Sequence, residues 1–406
     1  MKKNKKIIYK NFIQKKYLNS KYNSNINRKY LNILKNLILN LDNAKNTFHS
    51  LSNKFRFNFK TKELKKFKKF KTVVVIGMGG SVLGSEAIYS FLEQRIRKFF
   101  LFIDDINESH LVAIKKRHNL NKTLFIIISK SGNTIETLSN ISALKIIKKN
   151  SNNVIIISEK KNNPLYLISQ KMKLYYIEHK NYIGGRYSVL SEVGMVPAYL
   201  MGINILKLRK NLLNHLNYRN QIFLKDSVKK IANLLKNKIV KNIIFFNYIP
   251  ELNKFLYWNQ QLIAESLGKE GKGFLPIISP APKDHHSLLQ LYLDGPKDKL
   301  FYIFSADLDN KKKINSKMFG NKLNYLNNKS LSQIKLAQKN AFLSILKKKK
   351  IPFREFRIKD LSEEVLGELF SYFILETGIV GKIININPFD QPAVEQVKVK
   401  TKKLLV

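Results

Sequence analysis

The chain has no cysteine, so it can form neither a disulfide framework nor a thiolate metal site, although that lack alone leaves its compartment open. It also has no uninterrupted apolar run approaching the roughly 20 residues a membrane helix needs. The opening MKKNKKIIYKNFIQKK is basic, but Lys10, Lys15 and Lys16 break the apolar stretch that a secretory signal requires. A cytoplasmic protein with no membrane partner is expected. Acidic residues are scarce, 28 Asp and Glu against 74 Lys and Arg, giving a net charge of +46. The lysines run the whole length of the 406 residues among abundant Asn and Ile, as a compositional bias towards AT-rich codons would produce. No specific nucleic-acid partner is expected, while the positive field favours anionic substrates.

What is present is the alternation of an α/β protein, long enough for two core-bearing domains. Residues 1–50 show apolar residues at helical spacing (Tyr30, Leu31, Ile33, Leu34, Leu37, Leu41) and read as a helical lead-in. Short apolar runs follow at 73–77, 99–103, 124–129, 154–158 and 174–178, separated by amphipathic stretches. Runs rich in Val, Ile, Leu and Phe without polar alternation predict parallel strands covered on both faces. The first domain is placed at 51–205. After a helical stretch near 191–205 and a basic segment near 207–220, runs at 243–247, 275–279, 301–305 and 354–358 predict a second α/β domain at 206–380. The polar piece at 307–317 reads as a loop, and 381–406 as a terminal segment with a basic tail.

The turn Gly77-Met78-Gly79-Gly80-Ser81-Val82-Leu83-Gly84 sits where a buried strand hands over to a helix, a place suited to phosphate. It fits neither a dinucleotide fingerprint, since Val82 stands where glycine is needed, nor a P-loop, since Ser85 replaces the lysine. Tight strand–helix packing without a ligand explains the turn as well. A second strand exit, Ser129-Lys130-Ser131-Gly132-Asn133-Thr134, offers hydroxyls, a lysine and a glycine before another helix. Neighbouring strand ends open on one crevice in such sheets, so the two turns together favour a phosphorylated ligand.

Gln261 and Glu265 share a helical face ahead of the glycine-rich stop Gly268-Lys269-Glu270-Gly271-Lys272-Gly273. That carboxylate could act as a base or simply face solvent. Asp284-His285-His286-Ser287 invites a metal, but adjacent histidines rarely reach one ion and no His-x-x-x-His accompanies them. A proton-transferring histidine is the better reading, with no metal expected. Arg186, after Gly184-Gly185, suits a phosphate or a developing oxyanion, or a structural carboxylate.

VVVIGMGGSVLGSEA, SKSGNTIET, GGRYSVLSEVG, WNQQLIAESLGKEGKG, DHHSLLQLYLDGP and INPFDQPAVEQVK, in this order over residues 73–398, resemble the glucose-6-phosphate isomerase family in its shorter bacterial form. That resemblance implies two sugar-isomerase (SIS) domains, each a mainly parallel sheet between helix layers, in a homodimer with shared active sites. It implies a cofactor-independent aldose–ketose isomerase acting on a sugar phosphate. Gly80, Ser81, Ser129, Lys130, Ser131, Thr134 and Gln391 would hold the phosphate. Glu265 would be the base with Gln261 beside it, Arg186 would stabilise the enediolate, and His286 from the other subunit and Lys398 would assist ring opening. Ala393, His285 and the SKSGNT loop depart from the family's usual residues and bear on substrate range. Isomerisation of mannose 6-phosphate as well, or a non-catalytic sugar-phosphate sensor, are the alternatives.

Overall fold

The computed structural model describes residues 6–217, 220–308 and 312–405. The described residues form ten strands, β1 (Ile7–Phe12), β2 (Thr72–Ile76), β3 (Phe99–Ile103), β4 (Thr123–Ile128), β5 (Val154–Ser158), β6 (Tyr175–Glu178), β7 (Asn242–Asn247), β8 (Leu275–Pro280), β9 (Lys299–Ala306) and β10 (Phe353–Ile358). They form two five-stranded sheets, one ordered β3-β2-β4-β5-β6 and the other β1-β10-β9-β7-β8. Every pairing is parallel except β1 with β10. The fold is thus α/β with mainly parallel sheets flanked by helices.

The apolar runs work because successive side chains alternate between faces and both faces are covered. Val73, Val75, Leu124, Ile126, Ile155 and Ile157 join one core. Their neighbours Val74, Ile76, Phe125, Ile127, Val154 and Ile156 join a separate one on the opposite face. In the second sheet Phe245, Tyr302 and Phe356 enter the first of these cores, whereas Phe246, Phe301 and Phe353 build a third. The largest core therefore lies between the two sheets and ties them together. Its centre includes the helix Glu363–Ile383, buried almost throughout, and the helix Asn253–Leu267, which packs on it and on the helix Leu83–Leu92.

In both sheets the parallel strands start inside, at β2 or β7, add one strand to one side, β3 or β8, and then reverse to the other side, with β1 joining the second sheet at its far edge. In the first sheet the reversal falls between β2 and β4, which pair in register with Val74 opposite Phe125. Loops leaving such a point diverge and open a crevice at the carboxyl ends of the strands.

The N-terminal lead-in requires a correction. The helix Ser20–Leu39 forms, but Ile7–Phe12 is a strand, with Ile7 opposite Ile358 and Phe12 opposite Phe353. Its partner lies at the far end of the chain, so nothing local announces it. The lead-in's residues 1–5, residues 218–219 of the basic segment, 309–311 of the polar piece and 406 of the tail lie outside the described residues. Among the described residues no helix is long and apolar enough to cross a membrane.

Candidate active site

The exit from β2 is shaped by glycines at which a side chain would be strained or would collide with the neighbouring backbone. Gly79 has φ +51°, and a Cβ there would fall 2.7 Å from Gln261 Nε2. Gly80 lies flat against the Gly185–Arg186 peptide, with Ser81 half-buried beside it. This close approach joins the first glycine turn to the loop after β6.

The exit from β4 closes on itself. Ser129 and Thr134 hydroxyls lie 2.7 Å apart, and the Gly132 amide donates to Ser129 Oγ at 3.1 Å. Lys130 is half-buried, and Ser131 is exposed at the rim. Burial pushes the Lys130 ammonium below its ordinary value, while Glu159, 3.6 Å from it, opposes that shift.

Arg186 is the hub. It is buried, and its guanidinium donates to five acceptors: Nε to Ser266 Oγ at 2.8 Å, Nη1 to Glu265 Oε2 at 3.1 Å and Gln391 Oε1 at 2.7 Å, and Nη2 to the Pro388 and Asp390 carbonyls at 2.7 and 2.9 Å. A planar fork suits this task because its donors are fixed in direction. The Trp258 indole donates to the Arg186 carbonyl at 3.0 Å, fixing the backbone as well.

Gln261 and Glu265 lie one turn apart on the helix Asn253–Leu267, so their side chains meet: Gln261 Nε2 donates to Glu265 Oε1 at 3.0 Å. The helix stops at Gly268, where a Cβ would fall 2.5 Å from the Ala264 carbonyl. Glu265 thus has one oxygen on an amide and the other on the guanidinium, and its side chain remains 27% exposed, so a ligand can reach it.

The segment 387–391 closes the cluster. Phe389 packs edge-on to Phe48 and Tyr187, and Lys269 donates to the Asn387 carbonyl and to Asp390 Oδ1, the latter at 2.6 Å. The Lys269 hydrogen bond holds the Asp390 carboxyl below its ordinary value.

A family model described as phosphoglucose isomerase matches residues 24–405, nearly the whole chain. The chain belongs to the phosphoglucose isomerase family. It is 31% identical over 379 residues to a glucose-6-phosphate isomerase of Methanocaldococcus jannaschii, covering 91% of this chain and 92% of the relative. It is 31% identical over 352 residues to a glucose-6-phosphate isomerase of Campylobacter jejuni, covering 82% and 85%. In fold it is similar to a glucose-6-phosphate isomerase crystal structure from Chlamydia trachomatis, with TM-score 0.70 and 20% identity over 85% of this chain and 72% of that one. A Thermus thermophilus structure described as a hypothetical protein aligns with TM-score 0.82 and 22% identity over 98% of this chain and all of the other.

Two residues singled out in this phosphoglucose isomerase family member stand apart from the cluster. His286 is exposed in the turn after β8, and Lys398 is exposed on the helix Pro392–Leu404, where it pairs with Glu395 at 2.7 Å. Among the described residues neither makes a hydrogen bond to Arg186, Glu265 or the two turns. The structure also adds residues the sequence reading passed over. Ser266 accepts from Arg186 and bonds the buried Tyr187 hydroxyl at 2.8 Å, and Lys269 with Asp390 braces the closing segment. Only the position of Ser266 next to Glu265 offered a clue.

Proposed function

We propose that the chain interconverts glucose 6-phosphate and fructose 6-phosphate in glycolysis and gluconeogenesis by moving a proton between C2 and C1 through a cis-enediolate. The observation that carries this reading is the Arg186–Glu265 contact of 3.1 Å, a carboxylate and a buried cation side by side next to two anion-receptive turns. Removing a proton alpha to a carbonyl needs a positioned carboxylate, and the negative charge that develops on oxygen needs a preorganised cation.

In this reading Ser129, Lys130, Ser131 and Thr134 grip the phosphate, with Gly80, Ser81 and Gln391 completing the cradle. His286 and Lys398 assist ring opening. Glu265 takes the C2 proton of the open-chain aldose, the C1–C2 double bond forms, and the carbonyl electrons move onto O1. Arg186 balances that charge. The O2 proton passes to O1, and Glu265 returns its proton to C1 as O2 becomes the carbonyl. Gln261 keeps Glu265 aimed. The phosphorylated substrate is a dianion that does not cross membranes unaided, which supports a cytoplasmic place of action.

The exposure of His286 and the uncovered apolar residues Val394, Val397 and Val399 on the terminal helix support a homodimer in which one subunit's His286 serves the other's Glu265. Mixed dimers of Glu265→Gln and His286→Asn chains then regain about a quarter of wild-type activity, since half the dimers are mixed and each carries one intact site. No recovery on mixing contradicts the shared site.

The reaction is tested by turnover of glucose 6-phosphate in deuterated water. Partial incorporation of deuterium at C1 of the ketose product is expected, because the carboxylate-bound proton exchanges with solvent. Turnover without incorporation points to hydride transfer, and no turnover by folded protein overturns the assignment. Mannose 6-phosphate in the same assay reads the breadth of substrate choice.

A further inference from the structure

We propose that Glu159 is a positioning residue that sets the charge and the place of Lys130 in the phosphate-binding loop, with Lys161 as its counterweight. The inference rests on the proposed phosphate role of the loop after β4.

Glu159 follows β5 directly, and β5 lies beside β4, so the strand ends bring residue 159 next to residue 130. The backbones lock first: the Glu159 amide donates to the Lys130 carbonyl at 3.0 Å. The loop that Glu159 begins then buttresses the phosphate loop. Asn163 Nδ2 donates to the Glu159 carbonyl at 2.8 Å, the Leu165 amide donates to the Gly132 carbonyl at 3.1 Å, and a Cβ on Gly132 would overlap Asn163 Oδ1 at 1.8 Å. The Glu159 carboxylate, only 10% exposed, divides its charge between Lys130 at 3.6 Å and the largely exposed Lys161 at 2.5 Å.

The groups around Lys130 act in opposite directions. Burial lowers its pKa most, Lys161 and Arg186 lower it further by repulsion, and Glu159 raises it. His179, at the end of β6, faces the same cluster but carries no charge near neutrality. Burial holds its pKa at about 4, and Nδ1 donates to the Lys180 carbonyl at 2.9 Å. Glu159 is therefore the carboxylate that opposes the loss of charge from a half-buried amine placed where, in the proposed reading, a phosphate dianion binds. Without it, Lys130 loses its proton at lower pH and the loop loses its grip.

Two variants with opposite expected shifts provide the test, read as KM for fructose 6-phosphate from neutral pH upward. In Glu159→Gln the alkaline rise in KM begins at lower pH than in wild type, reaching roughly fivefold above wild type at the alkaline end, with the effect on KM rather than kcat. In Lys161→Gln, at an exposed position, the rise begins at higher pH, because a repelling charge is gone and Glu159 serves Lys130 alone. Glu159→Asp restores the wild-type profile. General loosening of the loop would move both variants the same way. Coincident limbs, or shifts of one sign, overturn the proposal while leaving the isomerase reading intact. An inactive folded wild type overturns that reading instead.

Discussion

Gly80 is in backbone contact with Arg186: a Cβ added to Gly80 would fall 2.4 Å from the Arg186 nitrogen and 2.2 Å from the Gly185 carbonyl carbon. Two segments about a hundred residues apart in sequence are thereby held at a fixed distance, one assigned to the phosphate and the other to the cation in the proposed reaction. Gly80→Ala forces them apart. We expect a loss of about 1–3 kcal/mol in stability from the overpacking. With the cation displaced, kcat/KM falls by about 10²-fold, measured alongside a urea melt.

Arg186→Lys keeps the charge but cannot serve five acceptors, because an ammonium has three donors and no fixed plane. We expect kcat to fall by about 10² or more as oxyanion stabilisation is lost. The melting temperature should fall as well, because the carbonyls of Pro388 and Asp390 each lose one of two donors and keep only the Tyr187 hydroxyl and the Lys269 ammonium. Wild-type kcat in this variant would mean that charge alone, without direction, does the work.

Ser266→Ala removes the acceptor for Arg186 Nε and one of two partners of the Tyr187 hydroxyl, which keeps the Pro388 carbonyl, so the buried Arg186 Nε is left unpaired. The expected cost is about 1–3 kcal/mol by chemical denaturation. The catalytic loss should be smaller than for Arg186→Lys, since Nη1 still faces Glu265. Substitution without effect on stability would show that solvent enters to replace the hydroxyl.

Asp390 has its carboxyl pKa depressed, chiefly by the hydrogen bond from Lys269, so its contribution to stability is present above the ordinary value of 3.8 and is lost as pH falls through the lower folded value. Wild type and Asp390→Asn should therefore differ in melting temperature near neutral pH and converge on acidification. The side chain is half-exposed, so the difference is small and screened by salt. Curves that stay parallel to acid pH would contradict the pairing.

The strands are legible in the sequence because both faces are buried, so Val73-Val74-Val75-Ile76 stays apolar at every position while alternate residues enter different cores. The same logic hides β1: Ile7–Phe12 is an edge strand with mixed exposure and a remote partner, and its residues carry no periodic signature. The meeting of Gln261 with Glu265 follows from helical spacing. The rest of the arrangement around Arg186 does not, because two of its acceptors are main-chain carbonyls at the other end of the chain, and a carbonyl leaves no mark on residue choice. Glu159 is hidden for a related reason: its link to Lys130 is made by strand adjacency.

The most direct test of the account is kcat for glucose 6-phosphate isomerisation in Glu265→Gln, measured on folded protein by coupled assay. The amide preserves size and can still meet Gln261 and Arg186, but it cannot accept the C2 proton. A fall in kcat of about 10²–10⁴-fold with KM little changed is the predicted result. Undiminished turnover would remove Glu265 as the base and with it the proton-transfer scheme.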